Sequence, residues 1–275
     1  MSCRADNGGF LCLAAAAAEE NAGSVCRSRV NTPVRVLLLG AKGRMGQAIA
    51  AAASKAGAEI AAGLDLGDDI AAHVGGCDVV IDFSHPNASS ELSRICGEAK
   101  KPAVIGTTGH SKDERAALDA LAKSVPVVLS PNFSVGVNAL FWLTRKAAEM
   151  LGKDFDLEVS EMHHRLKKDA PSGTAKKLAE ILCEARGLDY TKNVRHGREG
   201  LVGERTGDEI GVHSIRGGDV VGDHTVTFAG AGERLELTHK AASRETFALG
   251  ALRAAKWIVG KSPGLYSMED VLGLR

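Results

Sequence analysis

Short apolar runs alternate with alanine-rich or amphipathic stretches from residue 34 to about residue 151. The apolar runs are typical of buried strands and lie at 34–39, 59–62, 79–82, 103–105 and 125–129. The intervening and following stretches have helical periodicity and lie at 46–56, 88–99, 113–123 and 137–151. Because parallel strands require crossover connections of this kind, the alternation predicts a parallel sheet with helices on its faces.

The pattern changes after about residue 156. Alternation at 157–161 predicts a strand, and a helix is predicted at 173–185. Three further strands, predicted to be antiparallel and joined by glycine turns, are at 213–215, 220–228 and 234–240. A closing helix is predicted at 245–259. The chain therefore reads as an α/β protein with a Rossmann-type parallel-sheet domain (33–156 plus 245–275) and an inserted α+β domain (157–244).

Residues 1–32 fall outside this regular pattern, and we expect them to form a disordered extension. Their apolar stretch, Leu11–Ala18, is short and is followed directly by Glu19 and Glu20, which argues against a transit peptide. No run approaches the roughly 18 apolar residues that a membrane span needs. We therefore expect no membrane segment.

The composition of the chain argues against some classes of partner and is compatible with an enzyme. The chain has 34 basic and 34 acidic side chains, and aromatic residues make up 4% of it, so neither a nucleic acid nor a membrane surface is the expected partner. The six cysteines form no C-x-x-C pair and match no zinc spacing. A reducing, cytoplasmic location and no bound metal are the expectations.

A glycine-rich loop follows the first predicted strand and precedes the first predicted helix. Its candidate cofactor contacts are Gly40, Ala41, Lys42, Gly43, Arg44 and Met45. Glycines at such a place allow a tight turn and let a helix N-terminus approach a pyrophosphate. The spacing is G-x-x-G-x-x-G, and an ordinary turn at a helix start is the alternative, but the strand–loop–helix context favours a dinucleotide site.

Asp65, nineteen residues beyond Gly46, is placed to accept hydrogen bonds from the adenine ribose. Its carboxylate would repel a 2′-phosphate, whereas Arg44 could supply a cation for one. NADH and NADPH both stay possible cofactors, with a slight preference for NADH.

Polar segments at the ends of the later strands are further candidate cofactor contacts: Gly106, Thr107, Thr108, Ser130, Pro131, Asn132 and Phe133.

The densest group of reactive side chains lies between the predicted strand at 157–161 and the helix at 173–185. It contains His163, His164 and Lys167. The backbone N–H groups of Ser172, Gly173 and Thr174 are expected to be free at the helix start, where they suit a carboxylate-bearing substrate. Zinc is a poor alternative because adjacent strand residues point to opposite faces, and a solvated basic surface is the other alternative.

The run HHRLKKDAPSGTA, residues 163–175, closely resembles the signature of the dihydrodipicolinate reductase family. The resemblance extends over most of residues 34–274 through GAKGRMG, IGTTG, SPNFSVGVN, RGGDVVGDHTV and SRETFALGA. It implies a nicotinamide-dependent reductase of lysine biosynthesis whose substrate is a cyclic dicarboxylate. It also implies a homotetramer formed through the sheet of the substrate domain.

The resemblance implies a role for each residue of the central motif. His163 is the acid–base group, His164 contacts the substrate, Lys167 donates the proton, and the backbone of Gly173 and Thr174 holds a substrate carboxylate. Many members of the family have a basic residue where this chain has Leu66, which strengthens the preference for NADH. Two alternatives keep the glycine loop: another Rossmann oxidoreductase acting on an imine or aldehyde, and a redox-sensing protein that binds NAD without consuming it.

Overall fold

The computed structural model describes residues 32–274. The extension predicted for residues 1–32 lies, apart from Thr32, outside the described residues. The strands are β1 Val34–Leu39, β2 Ala58–Leu64, β3 Val79–Asp82, β4 Ala103–Ile105, β5 Pro126–Leu129, β6 Asp156–His163, β7 Val194–His196, β8 Ile210–Arg216, β9 Gly222–Gly230, β10 Glu233–Ala241 and β11 Gly264–Tyr266. The helices are α1 Arg44–Ala52, α2 Ile70–Val74, α3 Ser89–Ala99, α4 Lys112–Leu121, α5 Val135–Leu151, α6 Gly173–Arg186, α7 Tyr190–Asn193, α8 Glu245–Ile258 and α9 Met268–Leu272.

The first sheet is parallel throughout and has the strand order β11-β5-β4-β3-β1-β2. The order reverses at β1, which has β2 on one side and β3 on the other. In open α/β sheets ligands bind beyond the carboxyl ends of the strands at such a reversal. The predicted Rossmann-type fold class is confirmed.

Both faces of this sheet are covered by helices. Val36 and Leu38 of β1 belong to a core that includes residues of α1, α8 and α9. Leu37 and Leu39 belong to a second core with residues of α2, α3 and α4. The side chains of a strand alternate between faces, so the continuous apolar run of β1 follows from burial on both sides.

The second sheet is mixed and has the order β10-β9-β6-β8-β7. The prediction of a hairpin between the strands now seen as β8 and β9 is wrong, because β6 lies between them and pairs with both. β6 is parallel to β8 and antiparallel to β9. The connecting loop crosses the end of β6 instead, where the Gly217 N–H donates to the His163 carbonyl at 2.9 Å and the His164 N–H donates to the Val220 carbonyl at 2.7 Å.

One face of the second sheet is covered by α5 and α6. Val137, Phe141 and Ala148 of α5 share a core with residues of α6 and of this sheet. The predicted domain bounds place residues 135–151 in the first domain. Because α5 packs on the second sheet, we propose instead that the boundary between domains lies near residue 134. The wider division of the chain into two domains stays a prediction. Among residues 32–274, no helix is both long and apolar enough to cross a membrane.

Helix α8 returns the chain to the first sheet and passes very close to the segment that leaves it. A Cβ at Gly250, inside α8, would lie 1.7 Å from the carbonyl oxygen of Phe133. No side chain fits at that distance. The contact therefore requires glycine at this position.

We expect Gly250→Ala to destabilise the protein by about 1–3 kcal/mol, the usual cost of overpacking a close contact. Gly97→Ala is the matched control, since Gly97 also lies within a helix but its Cβ would meet Leu121 and Ser124 at the ordinary distances of 3.6 and 3.7 Å. Alanine there should be neutral or stabilising by up to about 1 kcal/mol. Urea unfolding of both variants measures the difference, and equal stability of the two would contradict the expectation.

Candidate active site

The loop between β1 and α1 is built for close approach of its backbone. Gly40 has a φ of +78°, and a Cβ there would lie 2.4 Å from the Phe83 carbonyl oxygen. A Cβ at Gly46 would lie 2.1 Å from the Gly40 carbonyl oxygen, so the first turn of α1 packs directly on the loop. Gly43 is less confined, because its Cβ would be 3.1 Å from that same oxygen. Gly40 and Gly46, two of the three glycines of the predicted loop, thus leave no room for a side chain.

The N-terminus of α1 is open to an anion. Its N-cap is Gly43, which has no side chain that could cap the first N–H groups. Beside it is a cavity of about 310 Å³, the loop cavity, which is lined by Gly40, Gly43, Asp65, Leu66 and their neighbours. The free N–H groups, the confined glycines and this cavity fit the phosphates and adenosine of a nicotinamide dinucleotide.

Asp65 follows the end of β2 and faces the glycine loop. Both carboxylate oxygens accept the Lys42 backbone N–H at 3.2 Å, and Lys42 Nζ is 3.9 Å from Oδ2. Leu66 is 88% exposed and also lines the loop cavity. Arg44 is the predicted cation for a 2′-phosphate, but the cation beside Asp65 is Lys42, and Arg44 lines a different cavity.

The ends of β3, β4 and β5 meet at a second cavity of about 290 Å³, the strand-end cavity. Its lining includes these predicted cofactor contacts: Met45, Gly106, Thr108, Pro131, Asn132 and Phe133. Two other predicted contacts have internal partners instead: the Thr107 hydroxyl accepts the Ser84 N–H at 3.0 Å, and the Ser130 hydroxyl donates to the Asn132 carbonyl at 2.7 Å. Neither Thr107 nor Ser130 lines the strand-end cavity.

His163 ends β6 with its ring largely buried. Its Nδ1 is 2.5 Å from Oε2 of Glu161, a carboxylate that also accepts both terminal nitrogens of Arg216 at 2.9 Å. Burial raises the pKa of Glu161, but the bonds from Arg216, His163 and Ser214 outweigh it and bring the pKa to about 2. Burial lowers the pKa of His163, and the bond to Glu161 only partly opposes this shift. His163 is therefore neutral near pH 7.

His164 and Lys167 line a cavity of about 720 Å³ that we call the cationic cleft. Its other basic residues are Arg44, Arg165, Lys168 and Arg244. Lys167 Nζ lies 2.8 and 2.9 Å from the two carboxylate oxygens of Asp169. No group of three or more His, Cys, Asp or Glu side chains within residues 32–274 is arranged to hold a metal ion.

Helix α6 begins four residues after Asp169, which lines this cleft. Ser172 is its N-cap, with a hydroxyl that accepts the Ala175 N–H at 3.2 Å and lies 3.0 Å from His224 Nε2. The Ser172 N–H was expected to be free, but it donates to Glu161 Oε1 at 3.2 Å because that buried carboxylate lies beneath it. The N–H groups of Gly173 and Thr174 lie in the first helical turn, where the helix itself supplies no acceptor, and the Cα of Gly173 faces open space.

Two sequence-family models match this chain. The model for the N-terminal part of dihydrodipicolinate reductase matches residues 34–133, and the model for its C-terminal part matches residues 136–272. The chain belongs to the dihydrodipicolinate reductase family. The resemblance identified from the sequence motifs is thus confirmed.

Individual members of the dihydrodipicolinate reductase family are similar over almost their whole length. A 4-hydroxy-tetrahydrodipicolinate reductase of Akkermansia muciniphila is 57% identical over 242 residues, which is 88% of this chain and 98% of that protein. One of Geobacter metallireducens is 48% identical over 265 residues, 88% of this chain and 100% of that protein. A dipicolinate-bound dihydrodipicolinate reductase from Paenisporosarcina sp. TG-14 has a TM-score of 0.70 and 26% identity, covering 86% of this chain and 97% of that one.

Several residues that complete this dihydrodipicolinate reductase site were not singled out from the sequence. Arg216 binds Glu161, His224 lies against Ser172, and Arg244 lines both the cationic cleft and the strand-end cavity. Arg216 and His224 are more than 50 residues away in sequence from the residues that they contact. All three residues lie in motifs that carry the family resemblance, which was the available signal.

Proposed function

We propose that this chain reduces 4-hydroxy-tetrahydrodipicolinate to tetrahydrodipicolinate with NADH or NADPH, in the diaminopimelate route to lysine. The observation that carries the proposal is the junction of two cavities. The strand-end cavity, which would hold the nicotinamide, and the cationic cleft share Arg244 as a wall. A hydride donor in the first would thus lie next to an anionic substrate in the second.

The cationic cleft suits a cyclic dicarboxylate. Arg44 and Arg244 can form paired hydrogen bonds to carboxylates, and His164 adds a further donor. The N–H groups of Gly173 and Thr174, at the positive end of α6, would hold the second carboxylate. These groups fix the substrate ring so that one face meets the cofactor, and such positioning is a main source of rate enhancement.

A reduced nicotinamide held in the strand-end cavity would supply a hydride to C4 of the unsaturated ring that forms when the 4-hydroxy compound loses water. Lys167, which lines the cleft, donates the proton to the electron-rich carbon next to it. Its contact with Asp169 keeps the ammonium in place before the substrate arrives. His163 is neutral beneath the cleft and can pass a proton through its second ring nitrogen, Nε2.

Cofactor choice is expected to favour NADH modestly. The Asp65 carboxylate would repel a 2′-phosphate, and the exposed Leu66 offers it no cation. Lys42 is the basic side chain beside Asp65 and is the residue that would permit NADPH. Both cofactors therefore remain usable, with NADH preferred.

We also propose a homotetramer formed through the second sheet, as in the family. The face of this sheet opposite to α5 and α6 carries the Thr225–Thr238 hydroxyl pair and the half-exposed Ile215.

The free, buried Cys77, Cys96 and Cys183 of the described residues suit a reducing compartment such as the cytoplasm.

Lys167→Ala should lower kcat by about 10²–10⁴-fold, the usual contribution of a general acid, and His163→Ala should also lower it. The assay follows the loss of reduced-nicotinamide absorbance while the preceding synthase makes the substrate from pyruvate and aspartate semialdehyde. Lys177→Ala, which removes the same charge from an exposed pair with Glu180, is the control and should keep wild-type turnover. Near wild-type turnover in both active-site variants would refute these roles.

Leu66→Arg should shift the ratio of kcat/KM toward NADPH by about tenfold, which corresponds to roughly 1.4 kcal/mol of added binding to the 2′-phosphate. Leu201→Arg is the control, because Leu201 is fully exposed and lines none of the three cavities described above. Side-by-side rates with the two cofactors give the ratio. An unchanged ratio in Leu66→Arg, with a fall in NADPH use in Lys42→Ala, would assign the phosphate to Lys42 instead.

For the assembly, sedimentation analysis should give a species of four chains. Ile215→Asp places a charge on the proposed interface and should shift that species toward smaller ones, because burying an unpaired carboxylate is costly. A wild-type protein that sediments as one chain would contradict the tetramer.

A further inference from the structure

We propose that Glu161 is a positioning residue whose single carboxylate fixes the His163 ring and, at the same time, the start of helix α6. Glu161 lies two residues before His163 on β6, so both side chains point to the same face of the sheet. The Glu161 side chain is 0% exposed. It would touch neither substrate nor cofactor, and it would act through the groups that it holds.

One carboxylate oxygen sets the state of the histidine ring. Oε2 lies 2.5 Å from His163 Nδ1, and since an ionised carboxylate only accepts, Nδ1 must carry the hydrogen. Nε2 is then the nitrogen that gains or loses a proton. Gly222 leaves space beside Nε2, since a Cβ at residue 222 would lie only 3.0 Å from that nitrogen.

The other oxygen sets the anion-binding helix start. Oε1 accepts the Ser172 N–H at 3.2 Å, directly before the N–H groups of Gly173 and Thr174. Arg216 spans both oxygens and also donates to the Asp169 carbonyl at 2.7 Å, so it holds the loop that carries Lys167. The acid–base histidine and the proposed carboxylate site are thus tied to one rigid group.

The charges that face His163 come from four elements. They are Glu161 on β6, Arg216 on β8, His224 on β9 and Lys167 in the loop after β6. Burial lowers the pKa of His224 to about 3, so that ring is neutral. Glu161 raises the pKa of His163, whereas Lys167 and Arg216 lower it. Removal of the Glu161 charge must therefore lower this pKa, and removal of the Arg216 charge must raise it.

The test compares Glu161→Gln with Glu158→Gln. Glu158 is on the same strand but on its other face, and it too binds arginines, Arg198 and Arg205. Glu158→Gln therefore disrupts a similar cluster of ion pairs, but one that does not contact His163. The measurement is the pH titration of the His163 ring by NMR, with the signal assigned from its absence in His163→Gln, together with the pH profile of kcat/KM.

In Glu161→Gln we expect the His163 midpoint to move to lower pH and kcat to fall about 10–100-fold, less than the full contribution of an acid–base group. In Glu158→Gln the midpoint should not move and kcat should stay within about twofold of wild type. Arg216→Gln should move the midpoint to higher pH. Opposite shifts in the two variants are not expected from a purely structural defect.

The proposal is overturned if the Glu161→Gln midpoint matches that of Glu158→Gln. If Glu161→Gln does not fold, Arg216→Gln is the deciding variant. A His163 midpoint that does not move to higher pH in Arg216→Gln then overturns the proposal. The kcat result rests on the proposed function, but the NMR titration does not. A wild-type protein without reductase activity would therefore refute the function, while the midpoints would still test the positioning role.

Discussion

A carboxylate that is removed from water stays ionised only if several donors replace the lost solvent, and Glu161 obtains them from three separate elements. Arg216 comes from β8, His163 from β6 and the Ser172 N–H from the start of α6. These donors do not come together until the second sheet has formed around β6. The positions of the His163 ring and of the start of α6 therefore both depend on satisfying one buried charge.

The link between this group and the cofactor side is a short chain of polar contacts. Asn132, at the end of β5, donates to the Thr174 hydroxyl at 3.2 Å and so joins the first sheet to the start of α6. Ser134 caps α5 and lies 3.5 Å from His239 of β10. Both contacts are made by side chains at a helix start, since Thr174 lies in the first turn of α6 and Ser134 is the N-cap of α5.

Sequence reasoning recovered the features that depend on local spacing. The burial of β1 on both faces, the helices between parallel strands and the start of α6 at Gly173 follow from periodicity and capping. It failed where a distant strand decides the outcome, as when β6 separates β8 from β9. It also missed β7 and β11, since three-residue strands carry too little pattern to be distinguished from loops. Within the site, motif reasoning named His163 and Lys167, whose roles stay predictions, but it did not name Arg216, because nothing local to residue 216 shows that it meets residue 161.

The chain passes between the two sheets twice, after β5 and again before α8, and the two passages lie side by side. The Phe133 carbonyl sits against Gly250, and Gly136 sits against the His239 ring, where a Cβ would be 2.6 Å from Cδ2. At both positions the neighbouring atoms occupy the volume that any side chain would need. Substitution at either glycine would therefore push a connection between the sheets away from the element that it packs against.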